Sequence, residues 1–208
     1  MSQNEAIERL GIFGGSFDPP HQAHVTLALR AIEQLHLDRL LVIPTGDAWH
    51  KARDLTLAPH RLAMTRLAFA DVPKVVVDSR EIDRHGSTFT FDTLEEMARD
   101  YPFAKLFLCI GGDQAHAFTT WHRWKDILNR VTLVVAFRPE DKSGTHSVDD
   151  AQWHNGPPAG AIRLEMPSLA ISATDIRLQL AQSDAFPSAL PIGVCEYIQQ
   201  HSLYKNDR

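Results

Sequence analysis

The sequence predicts an α/β protein built on a doubly wound parallel sheet, with a small C-terminal helical subdomain packed on that sheet. The order of apolar and helical segments favours this fold class. Short apolar runs, mostly rich in Val, Ile or Phe, alternate with segments of helical periodicity. This repeated order is typical of βαβ units with right-handed crossovers. The 208 residues are expected to form a single domain, with an α/β core over about 8–165 and the subdomain over about 166–208.

The strands are predicted at the buried apolar runs, each too short to form a helix. The first run ends in the pair Gly14 and Gly15, and the second stops at Pro44. Glycine and proline both weaken the interior of a strand, so they mark strand ends here. The strands are expected at 10–13, 40–43, 75–77, 106–110, 131–137 and 162–164.

Helices are predicted between the apolar runs and after the last of them. Pro59 and Pro191 suit helix starts, and Ser172 with Asp175 three residues later resembles a capping box. Clustered glycines and prolines over 139–160 predict an irregular surface loop. The helices are expected at 24–35, 58–70, 91–101, 121–130, 173–182 and 192–200.

Composition excludes several classes of protein. Hydrophobic residues make up 44% of the chain and charged residues 23%, which rules out a disordered or collagen-like chain. A net charge of −5 argues against general binding to nucleic acid or to an anionic membrane. The apolar runs are too short to cross a bilayer, and the N-terminus has no signal-peptide pattern. Cys109 and Cys195 lie in apolar stretches, so we expect buried thiols in a reducing, cytoplasmic protein. The sequence does not set the oligomeric state, and both a monomer and a homodimer agree with it.

The segment 14–24 carries the strongest chemical signal. It follows the first predicted strand and opens the first helix, where a glycine pair lets backbone amides approach a phosphate. Ser16 adds a hydroxyl donor. His21 and His24 are three residues apart, so both imidazoles can face one phosphoryl group. Taken alone, the same residues also fit a glycine turn with surface histidines, or a metal site.

Segment 14–24 resembles the (T/S)-F-D-P-x-H-x-G-H signature of the nucleotidylyltransferase superfamily. Over 11–204 the chain resembles one of its families, the bacterial nicotinate-nucleotide adenylyltransferases. The resemblance implies a Rossmann-like fold and transfer of the adenylyl group of ATP to nicotinate mononucleotide by direct in-line displacement. The products would be nicotinate adenine dinucleotide and pyrophosphate, a step of NAD synthesis.

Two later segments match the family's ATP-binding elements. Residues 110–113 resemble its I-G-x-D element, and residues 171–177 resemble I-S-(S/A)-T-x-I-R. Without the resemblance, Asp113 could simply cap a helix, and 171–177 could be an ordinary capped helix. The residues that the resemblance assigns to ATP are Gly14, Gly15, Ser16, Phe17, His21, His24, Gly111, Asp113, Ser172, Thr174 and Arg177.

Three segments match the part of the family that holds the mononucleotide. Residues 86–94 resemble S-Y-T-x-D-T-L, residues 120–124 resemble T-W-x-x-W, and 50–51 resemble the end of P-P-H-K. Without the resemblance, residues 86–94 could simply start a helix, and the two tryptophans of 120–124 could be core residues. Arg53, Arg61 and Arg66 are interpreted as a solvated basic face. The residues assigned to the mononucleotide are Lys51, Thr88, Thr90, Trp121 and His122, and those assigned to catalysis are His21, His24, Lys51 and Arg177.

Two departures from the family pattern stand out. Ala23 replaces the usual glycine between the histidines, and 46–49 replace the more frequent Gln-Pro-Pro, bringing Trp49 into that loop. Neither removes an implied catalytic side chain. Mg²⁺ is expected to arrive on the ATP phosphates without dedicated protein ligands. Residues 193–204 are interpreted as structural.

The competing functional interpretations differ in acceptor or in class. The same chemistry could act on nicotinamide mononucleotide or on another phosphate acceptor such as phosphopantetheine. A nucleotide-binding sensor that has lost turnover is the alternative that Ala23 favours. A metal-dependent hydrolase using His21 and His24 is the third.

Overall fold

A six-stranded, all-parallel sheet in the order β3-β2-β1-β4-β5-β6 forms the centre of the protein. The computed structural model describes residues 7–46, 55–84, 86–137, 160–183 and 185–205. The order confirms the doubly wound sheet. Its strands are β1 (Arg9–Gly15), β2 (Arg39–Pro44), β3 (Val75–Val77), β4 (Lys105–Gly111), β5 (Val131–Phe137) and β6 (Ile162–Glu165).

Helices cover both faces of the sheet. They are α1 (Gln22–Gln34), α2 (Ala58–Phe69), α3 (Arg80–Asp83), α4 (Thr90–Asp100), α5 (Gly112–Ala117), α6 (Trp124–Leu128), α7 (Ala173–Gln182) and α8 (Ile192–Gln200). A 3₁₀ turn at Phe118–Thr120 joins α5 to the segment before α6. Among the described residues, none of the helices is both long enough and apolar enough to span a membrane.

Alternate residues of the central strands feed two separate cores. Along β2, Leu40 and Val42 pack with α1, α2, α7 and α8, whereas Leu41 and Ile43 pack with α4 and α6. A strand buried on both faces needs apolar residues at every position, which is why these strands appear as continuous apolar runs. The C-terminal helices α7 and α8 therefore share one core with α1 and α2.

Most predicted elements are confirmed, but the predicted helix 121–130 is wrong at its start. Trp121 is extended, with ψ at 145°, and its ring packs on Phe118 at 5.2 Å between centroids. Arg123 then takes a left-handed backbone with φ at 56°, and the helix begins only at Trp124. The helices α3 and α5 have four and six residues, too short to show a periodicity. Most of the predicted loop 139–160 lies outside the described residues.

Both cysteines are free and buried, as the sequence predicts. Burial raises the pKa of the Cys109 thiol to about 12, and it also raises the pKa of Cys195. A thiol that keeps its proton at neutral pH is a poor nucleophile and a poor metal ligand. The two cysteines therefore act as small apolar core residues.

A crevice opens at one point along the carboxyl edge of the sheet. The pairing of β1 with β4 ends at Ile12 and Leu108, although β1 stays paired with β2 to Gly15 and β4 with β5 to Gly111. The two strands therefore separate over their last three residues. A Cβ atom added at Gly14 or at Gly111 would meet no atom of the described residues within 4 Å. This is the point where strand order reverses, the usual ligand position in such sheets.

Candidate active site

The loop that follows β1 turns sharply at Phe17. This residue has a positive φ of 47° and is 1% exposed, with its ring against Phe13 at 5.4 Å and Phe69 at 6.1 Å. An aromatic ring buried in this way anchors the loop to the core. Of the predicted ATP-binding residues, Phe17 therefore offers a ligand its backbone and not its side chain.

The two motif histidines are stacked on one another at the start of α1. His21 is the N-cap of α1 and is 6% exposed, and its ring lies 3.8 Å from that of His24 at an angle of 22°. The His21 backbone N–H donates a hydrogen bond to Nδ1 of His24 at 3.2 Å. Phe17 contacts the His24 ring edge-on at 5.0 Å. The predicted pairing of the two imidazoles is thus present.

The hydrogen bond from the His21 amide sets the tautomer of His24, and burial keeps the ring neutral. Its Nδ1 accepts from a backbone amide, so a neutral ring carries its proton on Nε2. Burial, followed by the charge of His21, lowers the pKa of His24 well below its usual 6.5. At neutral pH, His24 is therefore an uncharged ring with one fixed donor, Nε2–H.

We expect His24 to make folding stability depend on pH. Because the pKa of His24 is depressed in the folded chain, the unfolded chain binds more protons as the pH falls below 6.5, and stability is lost. In His24→Asn the amide oxygen can accept the same hydrogen bond but does not titrate. The stability advantage of the wild type over His24→Asn should shrink between about pH 7 and about pH 5. Urea unfolding at both pH values measures it, and a constant difference would contradict the assignment.

The start of α7 lies beside the first loop. Nη1 of Arg177 donates to the backbone carbonyl of Asp18 at 2.7 Å, and Nη2 donates to Oγ1 of Thr174 at 3.1 Å. Ser172 caps α7, accepting a hydrogen bond from the backbone N–H of Asp175 at 3.1 Å, as predicted. Arg177 and Thr174 line a cavity of about 350 Å³ together with Leu178, Ala181, Tyr204 and Lys205. The structure thus brings this predicted phosphate-binding group to the loop that holds the histidines.

The end of β4 contributes Gly111 and Asp113 at the other side of the crevice. Gly111 is the N-cap of α5, and Asp113 is exposed in the first turn of that helix. The alternative in which Asp113 caps the helix is therefore wrong. A carboxylate in the first turn is favourably placed towards the helix dipole and remains open to hydrogen-bond a ligand hydroxyl.

Of the predicted mononucleotide residues, Thr88, Thr90 and His122 lie together at the start of α4. Phe89 is the N-cap of this helix and Thr90 its first residue, and the Phe89 ring lies 4.6 Å from that of His122. Oγ1 of Thr88 is buried and has no hydrogen-bond partner among the described residues. Trp121 is half-buried against Phe118, so one part of its ring packs on the core and another part remains accessible to a ligand. We call these residues, 88–90, 121 and 122, the α4 group, and they form a second group beside the crevice.

Gly46, directly after β2, fixes where this second group lies. A Cβ atom there would collide with the backbone carbonyl of Glu81 and lie 3.2 Å from Cγ2 of Thr88. Glu81 in turn accepts a hydrogen bond of 2.7 Å from Oγ1 of Thr93 in α4. Burial is the main cause that raises the pKa of Glu81. Close approach at a glycine therefore joins β2 to α3 and α4.

Sequence reasoning missed the part played by Arg61. It is 2% exposed, not a solvated residue of a basic face. Its guanidinium donates to the carbonyls of Thr56 at 2.8 Å, Ser16 at 3.0 Å and Gly46 at 3.2 Å. One side chain thus ties the loop after β1 to the end of β2. A signal existed, because Met64 and Ala68 place position 61 on the buried side of α2.

Some predicted features fall outside the described residues. Lys51, assigned to the mononucleotide and to catalysis, lies there together with His50 and Trp49. Within the part of the chain that is described, there is no group of three or more His, Cys, Asp or Glu residues that could hold a metal ion.

Comparisons with known proteins show the family to which this chain belongs. A family model described as cytidylyltransferase-like matches residues 12–179. A protein of Albidiferax ferrireducens named "Probable nicotinate-nucleotide adenylyltransferase" is 45% identical over 199 residues, 96% of this chain and 99% of that protein. A protein of the same name from Methylibium petroleiphilum is 40% identical over 204 residues, 96% of this chain and 94% of that protein.

A solved structure shares the fold. Plasmodium falciparum nicotinic acid mononucleotide adenylyltransferase complexed with NaAD gives a TM-score of 0.72 at 20% identity, covering 95% of this chain and 97% of that one. At that identity the likeness speaks for the fold alone, whereas the sequence relatives speak for the family. The chain therefore belongs to the cytidylyltransferase-like family and, within it, to the nicotinate-nucleotide adenylyltransferases.

Proposed function

We propose that this protein transfers the adenylyl group of ATP to nicotinate mononucleotide, giving nicotinate adenine dinucleotide and pyrophosphate. The observation that carries the proposal is the crevice between β1 and β4, with the stacked histidines on one side and the α4 group on the other. Two phosphate-bearing substrates can meet there at the carboxyl edge of the sheet. The family membership supplies the substrate class.

The reaction needs no protein nucleophile. A phosphate oxygen of the mononucleotide attacks the α-phosphorus of ATP, forming one P–O bond as the bond to the β-phosphate bridging oxygen breaks. The attacking oxygen is already an anion, so no proton has to be removed from it. The protein's task is to align the two phosphates and to stabilise charge on the leaving pyrophosphate.

Each group at the crevice has a proposed part in that task. The Nε2–H of His24 donates to an α-phosphate oxygen, and its neutral state avoids a buried charge before ATP arrives. His21, stacked on it, faces the same phosphates. Arg177, with Thr174 and Ser172, holds the β- and γ-phosphates at the start of α7. Lys51 would place a positive charge beside the leaving pyrophosphate.

The α4 group is proposed to bind the pyridine ring and its carboxylate. Trp121 offers a ring face, and the backbone amides of Thr90 and His122 suit a carboxylate. Helical bonding starts with the amides of Asp92 and Thr93, which both donate to Phe89, so the amide of Thr90 lies ahead of the helical hydrogen bonds. An amide donor favours a carboxylate over a carboxamide, and this predicts a preference for nicotinate.

Mg²⁺ fits the site as a companion of ATP and not as a resident ion. The carboxylate in the first loop, Asp18, already accepts from the Tyr204 hydroxyl and the Thr56 backbone N–H. The other donors of the loop are imidazoles and a hydroxyl, which are poor ligands for Mg²⁺. When bound, the ion would offset phosphate charge while the protein residues orient the phosphates.

A cytoplasmic location is likewise proposed, on the buried thiols alone.

The decisive experiment is pyrophosphate release from the purified protein with ATP and Mg²⁺, run in parallel with nicotinate and nicotinamide mononucleotides. Release with the nicotinate form, and at least about tenfold slower release with the nicotinamide form, is expected. Equal rates would overturn the preference for nicotinate. ATP binding without release would overturn the enzyme assignment and support the sensor, and Ala23→Gly would then test for restored turnover.

A further inference from the structure

The last described turn of the chain reaches back to the first loop. Tyr204 lies just beyond α8, and its hydroxyl donates a hydrogen bond of 2.5 Å to Oδ1 of Asp18. The backbone N–H of Thr56 donates to the other carboxylate oxygen at 3.3 Å. Asp18 is 1% exposed, so its carboxylate depends on protein donors in place of water. Tyr204 therefore supports a buried charge in the middle of the nucleotide loop.

Asp18 also contacts the phosphate-binding group. Its backbone carbonyl accepts the 2.7 Å hydrogen bond from Nη1 of Arg177, while Nη2 of Arg177 reaches Thr174. Asp18 is three residues before His21, the N-cap of α1. One residue thus connects Tyr204, Arg177 and the histidine loop. A displacement of Asp18 would therefore move both Arg177 and the loop that carries the histidines.

We propose that Tyr204 is a positioning residue for adenylyl transfer, because by holding Asp18 it fixes the carbonyl that orients Arg177 and the loop that carries His21. The inference rests on the proposed function for the role of Arg177, and it goes beyond the structural part that the sequence assigned to 193–204. Burial and the charge of Asp18 raise the pKa of Tyr204 far above its usual value. Its hydroxyl therefore keeps its proton and remains a donor.

The first test is Tyr204→Phe, which removes one oxygen atom. The matched control is Tyr197→Phe in α8, where the lost hydroxyl hydrogen-bonds Nδ1 of His60 in α2 at 3.0 Å. We expect kcat of Tyr204→Phe to fall about tenfold or more, since small misplacements of orienting groups have effects of this size. The KM for the mononucleotide should change less than about twofold, and Tyr197→Phe should keep the wild-type kcat. Both variants can lower the melting temperature by a few degrees, so thermal shift alone does not decide the proposal.

A double-mutant cycle separates positioning from a general loss of order. In an Arg177→Lys background, Tyr204→Phe should lower kcat by a smaller factor than it does in the wild type, because one of the two groups through which Tyr204 acts is already impaired. Effects that multiply in full would overturn the proposal. So would a kcat for Tyr204→Phe equal to that of Tyr197→Phe.

Failure of the proposed function gives a different result from failure of this inference. The wild type is assayed in parallel, and a wild type without pyrophosphate release would overturn the function and leave the loop geometry to be tested by binding. Calorimetric titration with a non-hydrolysable ATP analogue then decides. Weaker binding to Tyr204→Phe than to Tyr197→Phe supports the positioning role, and equal binding overturns it.

Discussion

Replacing His24 with alanine is expected to lower kcat by two or more orders of magnitude while the fold stays intact. The neutral ring carries its proton on Nε2, because Nδ1 accepts from the backbone N–H of His21. Removing one such fixed donor at a developing charge typically lowers kcat about 10²- to 10³-fold. Steady-state pyrophosphate release measures the loss, and circular dichroism checks the fold.

His201→Ala is the control for His24→Ala. His201 is exposed at the end of α8 and its ring contacts Tyr197 and His60, so the variant loses an imidazole that packs on α8 and α2. Its kcat should remain that of the wild type. Near-normal turnover in His24→Ala would remove His24 from the mechanism.

Replacing Arg61 with methionine is expected to destabilise the protein by roughly 3–5 kcal/mol, because it strips the donors from three buried or half-buried carbonyls. For a chain of this length the melting temperature should fall by about 10 °C. Activity measured well below that temperature should also fall, since Arg61 joins the loop after β1 to the end of β2. Thermal denaturation followed by circular dichroism measures the first effect.

The matched control for Arg61→Met is Arg66→Met in the same helix. Arg66 is exposed, and surface substitutions of this kind usually change stability by less than about 0.5 kcal/mol. Arg61→Lys should fall between the two, because one ammonium cannot reproduce the fork that reaches three carbonyls. Arg61→Met and Arg66→Met melting within about 2 °C of each other would show that the buried guanidinium is not a structural tie.

The elements that the sequence predicted correctly are those whose pattern lies within a short stretch of the chain. Buried parallel strands such as β2 appear as unbroken apolar runs, and α7 begins at a serine that caps it. The helix predicted over 121–130 failed because packing of Trp121 on Phe118 sets the backbone there. That contact crosses a turn that composition does not reveal.

The candidate site divides in the same way. The resemblance of 14–24 to a known signature names His21 and His24 from the sequence, since the loop and the helix start are contiguous. The burial of the Phe17 side chain, the neutral state of His24 and the role of Arg61 could not be read from it. Each depends on distant groups, as when Arg61 reaches Ser16, 45 residues earlier in the chain.

By itself, the sequence determined the doubly wound fold and the family, and it singled out the loop after β1 as the candidate site, because periodicity and motifs are local in the chain. Only the tertiary structure decided how that loop is held. The crevice exists because β1 and β4 part after Ile12 and Leu108, and Asp18 is supported by Tyr204, 186 residues away. A protein donor replaces water at a buried carboxylate only once the chain has folded. The sequence does not indicate which distant residue supplies that donor.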